Sequence, residues 1–309
     1  MDFRKIIAFG KSSFVVSLPK DWLQNNKLVK GDVVFLEQDS DKLIIVPKEK
    51  ELVKEEKRIL IKTRNKDISR VKREIASAFI NFHDYIVIEG DNLPTMSKEI
   101  SEFIHHLVAL EIMEQSSTKI IAKDFLKVGD VTIKDYVRKS DITIRSILMD
   151  LKDPNYAFYD ATALRQKSVD RIYLLVFKAI KSMHETPTTI KKSGITSSEM
   201  IKYNQYNYCL YRVGKYLKHI ALSMNKLKKK EIKIVSDLVG ELYDHYISVM
   251  KAVHNQDNEK SYLLSNKKGQ VRSKLDSIID KSNGKLVLVV YLISMIYLEI
   301  HELNHANYD

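Results

Sequence analysis

Four short apolar runs near the start of the chain set the tightest limit on what it can fold into. Ile6-Ile7-Ala8-Phe9, Phe14-Val15-Val16, Val33-Val34-Phe35-Leu36 and Leu43-Ile44-Ile45-Val46 are rich in β-branched and aromatic residues, with Gly, Ser, Asp or Lys separating them. Runs of this length and make-up predict strands. Between the second and third, Pro19-Lys20-Asp21-Trp22-Leu23-Gln24 reads as a short helix, entered at Ser17 and Pro19 and broken by Gly31-Asp32. Four such strands and one helical turn bury too little apolar surface to be stable by themselves. The stretch from Phe3 to Pro47 therefore needs a partner, and a second copy of itself is the simplest.

With 309 residues, 44% hydrophobic and 29% charged, the chain has the length and composition of two or three folded domains. Its 51 Lys plus Arg against 40 Asp plus Glu leave a net charge of +11. That balance suits a polyanion such as nucleic acid or an acidic membrane face, although a solvated lysine-rich surface produces the same count. Cys209 is the single cysteine, which rules out an intrachain disulfide and a cysteine-based zinc site; its apolar helical setting predicts inert packing. No signal-peptide pattern opens the sequence, and the longest apolar run, Leu286 to Ile300, is shorter than a bilayer requires. The expectation is a cytoplasmic protein without membrane insertion.

Past the hairpins, Lys48 to Lys57 is almost wholly charged, so residues 1–49 are expected to form one domain and 50–57 a linker. Arg58 to Lys62 predicts a strand, Asp67 to Phe82 a helix with Ile68, Val71, Ile75 and Phe79 on one face, and Tyr85 to Ile88 a strand. That order implies a parallel pair joined by a crossover. Pro94 opens another helix, and Leu110 to Met113 and Lys119 to Ala122 predict two more strands, completing an α/β connector over 58–127. From 128 to 309 the strand signals stop. Rows such as Val169, Ile172, Val176, Ile180, Met183 and Leu210, Val213, Leu217, Ile220, Met224 have bundle spacing, as does Val235, Leu238, Leu242, Val249, Val253. Breaks at Asp153-Pro154, Thr186-Pro187, Ser193-Gly194 and Ser282-Asn283-Gly284 predict about six helices, arranged as two three-helix units.

Two resemblances follow from particular residues. Phe14-Val15-Val16-Ser17-Leu18-Pro19-Lys20-Asp21-Trp22, followed by Leu28-Val29-Lys30-Gly31-Asp32-Val33-Val34, resembles the swapped-hairpin DNA-binding domain of the AbrB and MazE type, SpoVT-AbrB. The resemblance implies two chains interleaving their hairpins into one small β-barrel that grips double-stranded DNA. Leu107 to Glu114, Val169 to Leu175 and Tyr211 to Ala221 are similar to an archaeal PhoU-like protein, a group that joins an AbrB-type start, an α/β connector and a PhoU helical domain. What this implies is a transcription regulator connected with phosphate uptake, its helical part sensing an effector or docking a partner. The fold class expected is thus multidomain α+β: a dimeric AbrB-like β-barrel, a small α/β connector and an all-α PhoU-like domain of two three-helix bundles.

DNA contact is expected from Arg4, Lys5, Lys11 and Lys20, with Ser12 and Ser13 at the tip after Gly10. Cations and hydroxyls repeated on a two-fold barrel reach phosphates from both chains, and Lys or Arg also reads guanine edges. The plainer alternative is lysines that keep exposed strand edges from aggregating. PhoU domains resemble one another in a Glu-Arg-x-x-Asp segment that binds metal together with acids from another helix. Here that segment aligns with Tyr211-Arg212-Val213-Gly214-Lys215, so both acids are lost; Asp170 remains, but Ser168 stands where another acid would be. No cofactor is expected, and Arg212, Lys215 and His219 read as helix-surface cations, with pairing to carboxylates or an anion as the alternative.

His301-Glu302-Leu303-Asn304-His305 is a literal H-E-x-x-H, which on a helix sets two imidazoles on one face beside a Glu. A catalytic zinc needs a third protein ligand, and only Ala306-Asn307-Tyr308-Asp309 follow, leaving His105, His106 or His254 as distant alternatives. His301, Glu302, His305 and Asp170 are accordingly the weak metal candidates of the chain. The basic run Asn225 to Lys233 suits a solvated turn, or an extended DNA footprint. Tyr203, Tyr206, Tyr208, Tyr211 and Tyr216 are too closely spaced for one helix face, which predicts an interface with a partner or another domain. There is neither a Gly-rich phosphate loop nor a Gly-x-Ser-x-Gly turn, so no enzyme is expected. The resulting expectation is a homodimeric, sequence-specific DNA-binding regulator. The alternatives are a PhoU-type module docking on a transporter or signalling protein, with the hairpins serving to dimerise, then an antitoxin, then a metalloenzyme.

Overall fold

The computed structural model describes residues 3–39, 42–47, 56–153, 159–185 and 194–308. The chain divides into two units, Met1–Glu55 and Glu56–Asp309. Residues 50–55 of the expected linker lie outside the described residues, as do Pro154, Thr186, Pro187 and Ser193 of the expected helix breaks.

The first unit is a pair of antiparallel hairpins around one short helix. β1 (Ile7–Phe9) pairs with β2 (Ser13–Val15), and β3 (Val34–Asp39) with β4 (Lys42–Pro47); α1 (Lys20–Asn25) lies between them in sequence. Pro19 stands at the N-cap of α1, where its missing N–H costs nothing. The helix ends as Lys27 turns left-handed (φ +52°) and the Leu28 N–H donates to the Leu23 carbonyl at 2.9 Å. Gly31 (φ +96°) then allows the turn in which the Asp32 carboxylate accepts from the Val29 N–H at 2.8 Å. This is the physical content of the Lys-Gly-Asp signature.

The second unit begins with a four-stranded sheet, ordered β5-β6-β8-β7: β5 (Arg58–Lys62), β6 (Tyr85–Glu89), β7 (Leu110–Gln115) and β8 (Lys119–Asp124). β5 and β6 are parallel, as the strand, helix, strand order implies, and the other pairings are antiparallel. α2 (Ile68–Ile80) is capped by Asp67, whose side chain accepts from the Arg70 N–H at 2.6 Å, and buries Val71, Ile75, Ala78 and Phe79. α3 (Leu93–His106) starts with Pro94 in its first turn and buries Leu93, Ile100 and Ile104. At the end of β6, a Cβ on Gly90 would sit 2.1 Å from the Thr63 hydroxyl, so only glycine lets the two strand ends meet there.

Seven helices follow among the described residues: α4 (Ile133–Leu151), α5 (Tyr159–Glu185), α6 (Ser197–Met224), α7 (Lys229–Asn255), α8 (Asn258–Ser265), α9 (Lys268–Asp280) and α10 (Gly284–His305). That is one more than the six expected; α8 and α9 are too short to leave a long periodic signature, and the seven share one core where two three-helix units were expected. α6 starts with a capping box, the Thr196 hydroxyl accepting from the Glu199 N–H (3.1 Å) and the Glu199 carboxylate from the Thr196 N–H (2.9 Å). It packs against α4, α5 and α10, and every member of its apolar row is buried. All seven helices contribute to one continuous core. Cys209 lies inside it, and burial pushes its thiol up to about 12.

α10 is apolar enough, by length and composition, to cross a membrane: its most apolar window has a mean hydropathy of 1.9, with 44% of it buried. Its buried residues, among them Val289, Val290, Ile293, Ile296 and Ile300, belong to the bundle core.

The sheet layer and the helices are joined through α5. Lys178, 1% exposed, pairs with Asp124 at the end of β8 and lies 3.8 Å from the centre of the Phe79 ring on α2. Lys181 donates to Asn81, and Leu126 touches both cores.

Candidate nucleic-acid interface

A hairpin with one face in water alternates apolar and polar side chains. Neither hairpin of the first unit does so. In β1/β2, Ile7↔Val15 and Phe9↔Ser13 face one side and Ala8↔Phe14 the other. In β3/β4, Val34↔Pro47 and Leu36↔Ile45 share a side, with Phe35↔Val46 opposite. No described side chain of this unit is buried; Phe9 is 69% exposed, Phe14 73%, Phe35 54% and Leu36 63%. Apolar surface at this density marks an interaction site.

The six residues expected to touch DNA are all exposed. Gly10 (φ +70°) opens the turn that carries Lys11 and Ser12, and Ser13 begins β2. Arg4 and Lys5 precede β1, so they lie at the other end of the hairpin, about 17–20 Å from its tip at roughly 3.3 Å per residue. Lys20 opens α1. Lys5, Lys11 and Lys20 have no ion pair among the described residues, and one chain does not gather all six into a single patch.

A family model described as antidote-toxin recognition MazE, bacterial antitoxin, matches residues 7–53. These residues carry a MazE/AbrB-type domain. Domains of that type typically dimerise and bind DNA, and their kind of function is that of an antitoxin or a DNA-binding regulator. The match stops short of the second unit, and no curated protein and no solved structure matches the chain.

Beyond the MazE-type domain, the metal candidates separate. Asp170 on α5 is held by Lys215 of α6, Oδ2 to Nζ at 3.1 Å. Arg212, one turn earlier, places Nε 2.7 Å from Glu299 of α10 and donates to the hydroxyls of Tyr208 and Tyr216. Burial pushes the Glu299 carboxyl upward despite that cation. Arg212 and Lys215, expected as helix-surface cations, are thus engaged with carboxylates of neighbouring helices instead. His301 and His305 have ring centres 6.2 Å apart, their planes tilted by 53°, but His301 faces a cavity with His245, while Glu302 and His305 border a depression with Ser198, Lys202 and Gln205. Of the distant alternatives, His254 bonds to Asp141, His105 lies 3.9 Å from Glu111, and His106 stacks on Phe103. Among the described residues, no three His, Cys, Asp or Glu side chains come together to hold a metal.

The tyrosines of α6 turn mostly inward to their own chain. Tyr211 stacks on Tyr173 of α5 at 4.3 Å between ring centres, and buried Tyr206 bonds to Asn307. Lys229 and Lys230 of the basic run begin α7 and are exposed.

One buried polar centre had only a faint sequence signal, an Asp and an Arg four residues apart. Asp141, 1% exposed on α4, accepts from Arg145 Nε (2.8 Å) and Nη2 (2.7 Å), from the Tyr246 hydroxyl (2.9 Å), and pairs with His254 Nε2 (2.9 Å). Burial alone would raise this carboxyl; the hydrogen bonds from His254, Arg145 and Tyr246 outweigh it and hold the carboxyl below the usual range.

Proposed function

We propose that this chain is a homodimeric, sequence-specific DNA-binding transcription regulator of the cytoplasm, without enzymatic activity of its own. The observation that carries this reading is a MazE/AbrB-type domain whose hairpins expose apolar residues on both faces while Lys5, Lys11 and Lys20 stand free of carboxylates among the described residues. Interleaving two copies buries the apolar faces and repeats each cation about a two-fold axis, which asks for two spaced half-sites on the duplex.

The helical part, which resembles PhoU, senses an effector or docks a regulatory protein and alters how the two heads present their cations. Such coupling requires an effector that binds the two arrangements with different affinity. The connection to phosphate uptake rests on the resemblance, and no metal enters the scheme, since Lys215 and Arg212 take up Asp170 and Glu299.

The test is retardation of duplex DNA by the full chain, measured against salt. Arg4, Lys5, Lys11 and Lys20 from two chains make up to eight phosphate contacts, so log K should fall against log salt with a slope of roughly −7. Replacing Lys5 and Lys11 by Ala removes four of them and should bring the slope to roughly −4. Dimerisation without retardation of DNA would instead identify the N-terminal domain as the dimerisation element of a docking protein.

A further inference from the structure

The second unit contains a cavity of about 290 Å³ between α9 and α10, closed at its base by α7 and α8. Its origin is legible in the two helices. α9 offers α10 only a narrow apolar row, Val271, Leu275 and Ile279, spaced four apart; α10 answers with Tyr291, Met295 and Leu298, but the small Ser294 sits among them and leaves the space unfilled.

The mouth is cationic. Lys267, Lys268 and Arg272 line it; among the described residues the sole acid there is Asp276, 3.8 Å from Arg272, and neither lysine has an ion pair. Lys267 and Lys268 also stand at the N-cap and first position of α9. No side chain caps that end and no acid lies in its first turn, so two positive charges sit on the positive end of a helix whose first N–H groups lack a side-chain acceptor. The end of α8, at Ser265, lies next to both lysines and favours them with its carbonyls, which leaves their charge free of any acid among the described residues and available to an anion at the mouth. Inside, the His245 ring lies 5.5 Å from Tyr297 between ring centres, tilted against it, and has no hydrogen-bond partner among the described residues. Burial first, then Lys267 and His301, pushes His245 down to about 4, and burial first, then Lys268, lowers His301. Both imidazoles are therefore neutral near pH 7 beside a positive rim.

We propose that this cavity binds a small amphipathic anion, an apolar carboxylate whose head meets Lys267, Lys268 and the start of α9 and whose tail lies along Val271, Leu275, Met295 and Leu298. The volume equals that of roughly ten liquid waters, which fits a medium-length acyl or single-ring aryl acid and excludes a phospholipid. Apolar walls with a few convergent polar groups are the usual make-up of a ligand site. The inference deepens the effector role proposed above for the helical part and rests on that reading for its regulatory meaning.

Octanoate is the probe, titrated into the full chain by calorimetry in the absence of DNA, with 1-octanol as the uncharged tail. The expected result is one octanoate per chain, with 1-octanol about tenfold weaker or more, the measure of a charge-assisted contact. Lys267→Gln with Lys268→Gln should weaken octanoate by a similar factor and leave 1-octanol unchanged. Ser294→Phe should abolish binding of both while far-ultraviolet circular dichroism shows the helices intact. No octanoate binding at millimolar concentration, equal affinity for the alcohol, or undiminished binding by folded Ser294→Phe overturns the proposal; if that variant does not fold, the lysine pair decides. Octanoate binding without DNA retardation would refute the regulator and keep the site, and retardation without octanoate binding would do the reverse.

Discussion

Replacing Asp141 by Ala should be among the most damaging single changes in the helical unit. The carboxylate is 1% exposed and satisfies Arg145, Tyr246 and His254, tying α4 to α7. Its removal leaves the Tyr246 hydroxyl, in a fully buried side chain, without its acceptor, and Arg145, 30% exposed, without its counter-charge. Breaking a buried ion pair from one side costs about 3–5 kcal/mol. For a unit of this size that corresponds to a loss of about 6–20 °C in Tm.

Tyr246→Phe removes one of these bonds and should cost about 1 kcal/mol. The assay is thermal and urea unfolding of the full chain followed by far-ultraviolet circular dichroism, which reports mainly on the helices. In the cycle of both variants, the two losses should fall short of adding, because each removes the same bond. The pH dependence follows from the sign of the shift: the folded carboxyl is held below its unfolded value of about 3.9, so its contribution is complete above that pH and is lost as pH falls through the folded value. A loss below about 1 kcal/mol for Asp141→Ala at pH 7 would show that the network is not a structural centre of the bundle.

Leu36→Glu places a charge on a hairpin face shared with Val34 and Ile45, and light scattering should find the protein monomeric, with DNA retardation lost; an unchanged dimer would refute burial of that face. Lys178→Met leaves Asp124 nearly buried without its cation and should cost about 3–5 kcal/mol, most of it recovered when Asp124 is also changed to Asn, as unfolding curves of the two variants would show. Cys209, buried and with its thiol raised to about 12, should react with a thiol reagent no faster than the bundle unfolds; rapid labelling of the native protein would mean that α6 opens locally.

Much of the architecture was written locally. Short β-branched and aromatic runs marked the four strands of the hairpins within about three residues of their ends, and the lack of apolar/polar alternation along them fits a partner on both faces, since burial on two sides leaves no reason to alternate. Threes and fours along Val169 to Met183, Leu210 to Met224 and Val235 to Val253 identified residues that all proved buried, because a helix presents the same face every three or four positions. The strand, helix, strand order fixed the parallel pairing of β5 with β6.

What depended on the packed structure joins residues remote in sequence. Tyr246 and His254 reach Asp141 across 105 and 113 positions, Lys178 finds Asp124 across 54, and Arg212 meets Glu299 from another helix. Those partners are chosen by how helices lie against one another, and a period of 3.6 says which face is buried without saying what lies opposite. The cavity between α9 and α10 has the same origin: Ser294 and the lysines at the start of α9 are unremarkable as letters, and acquire chemistry only because the two helices leave space between them.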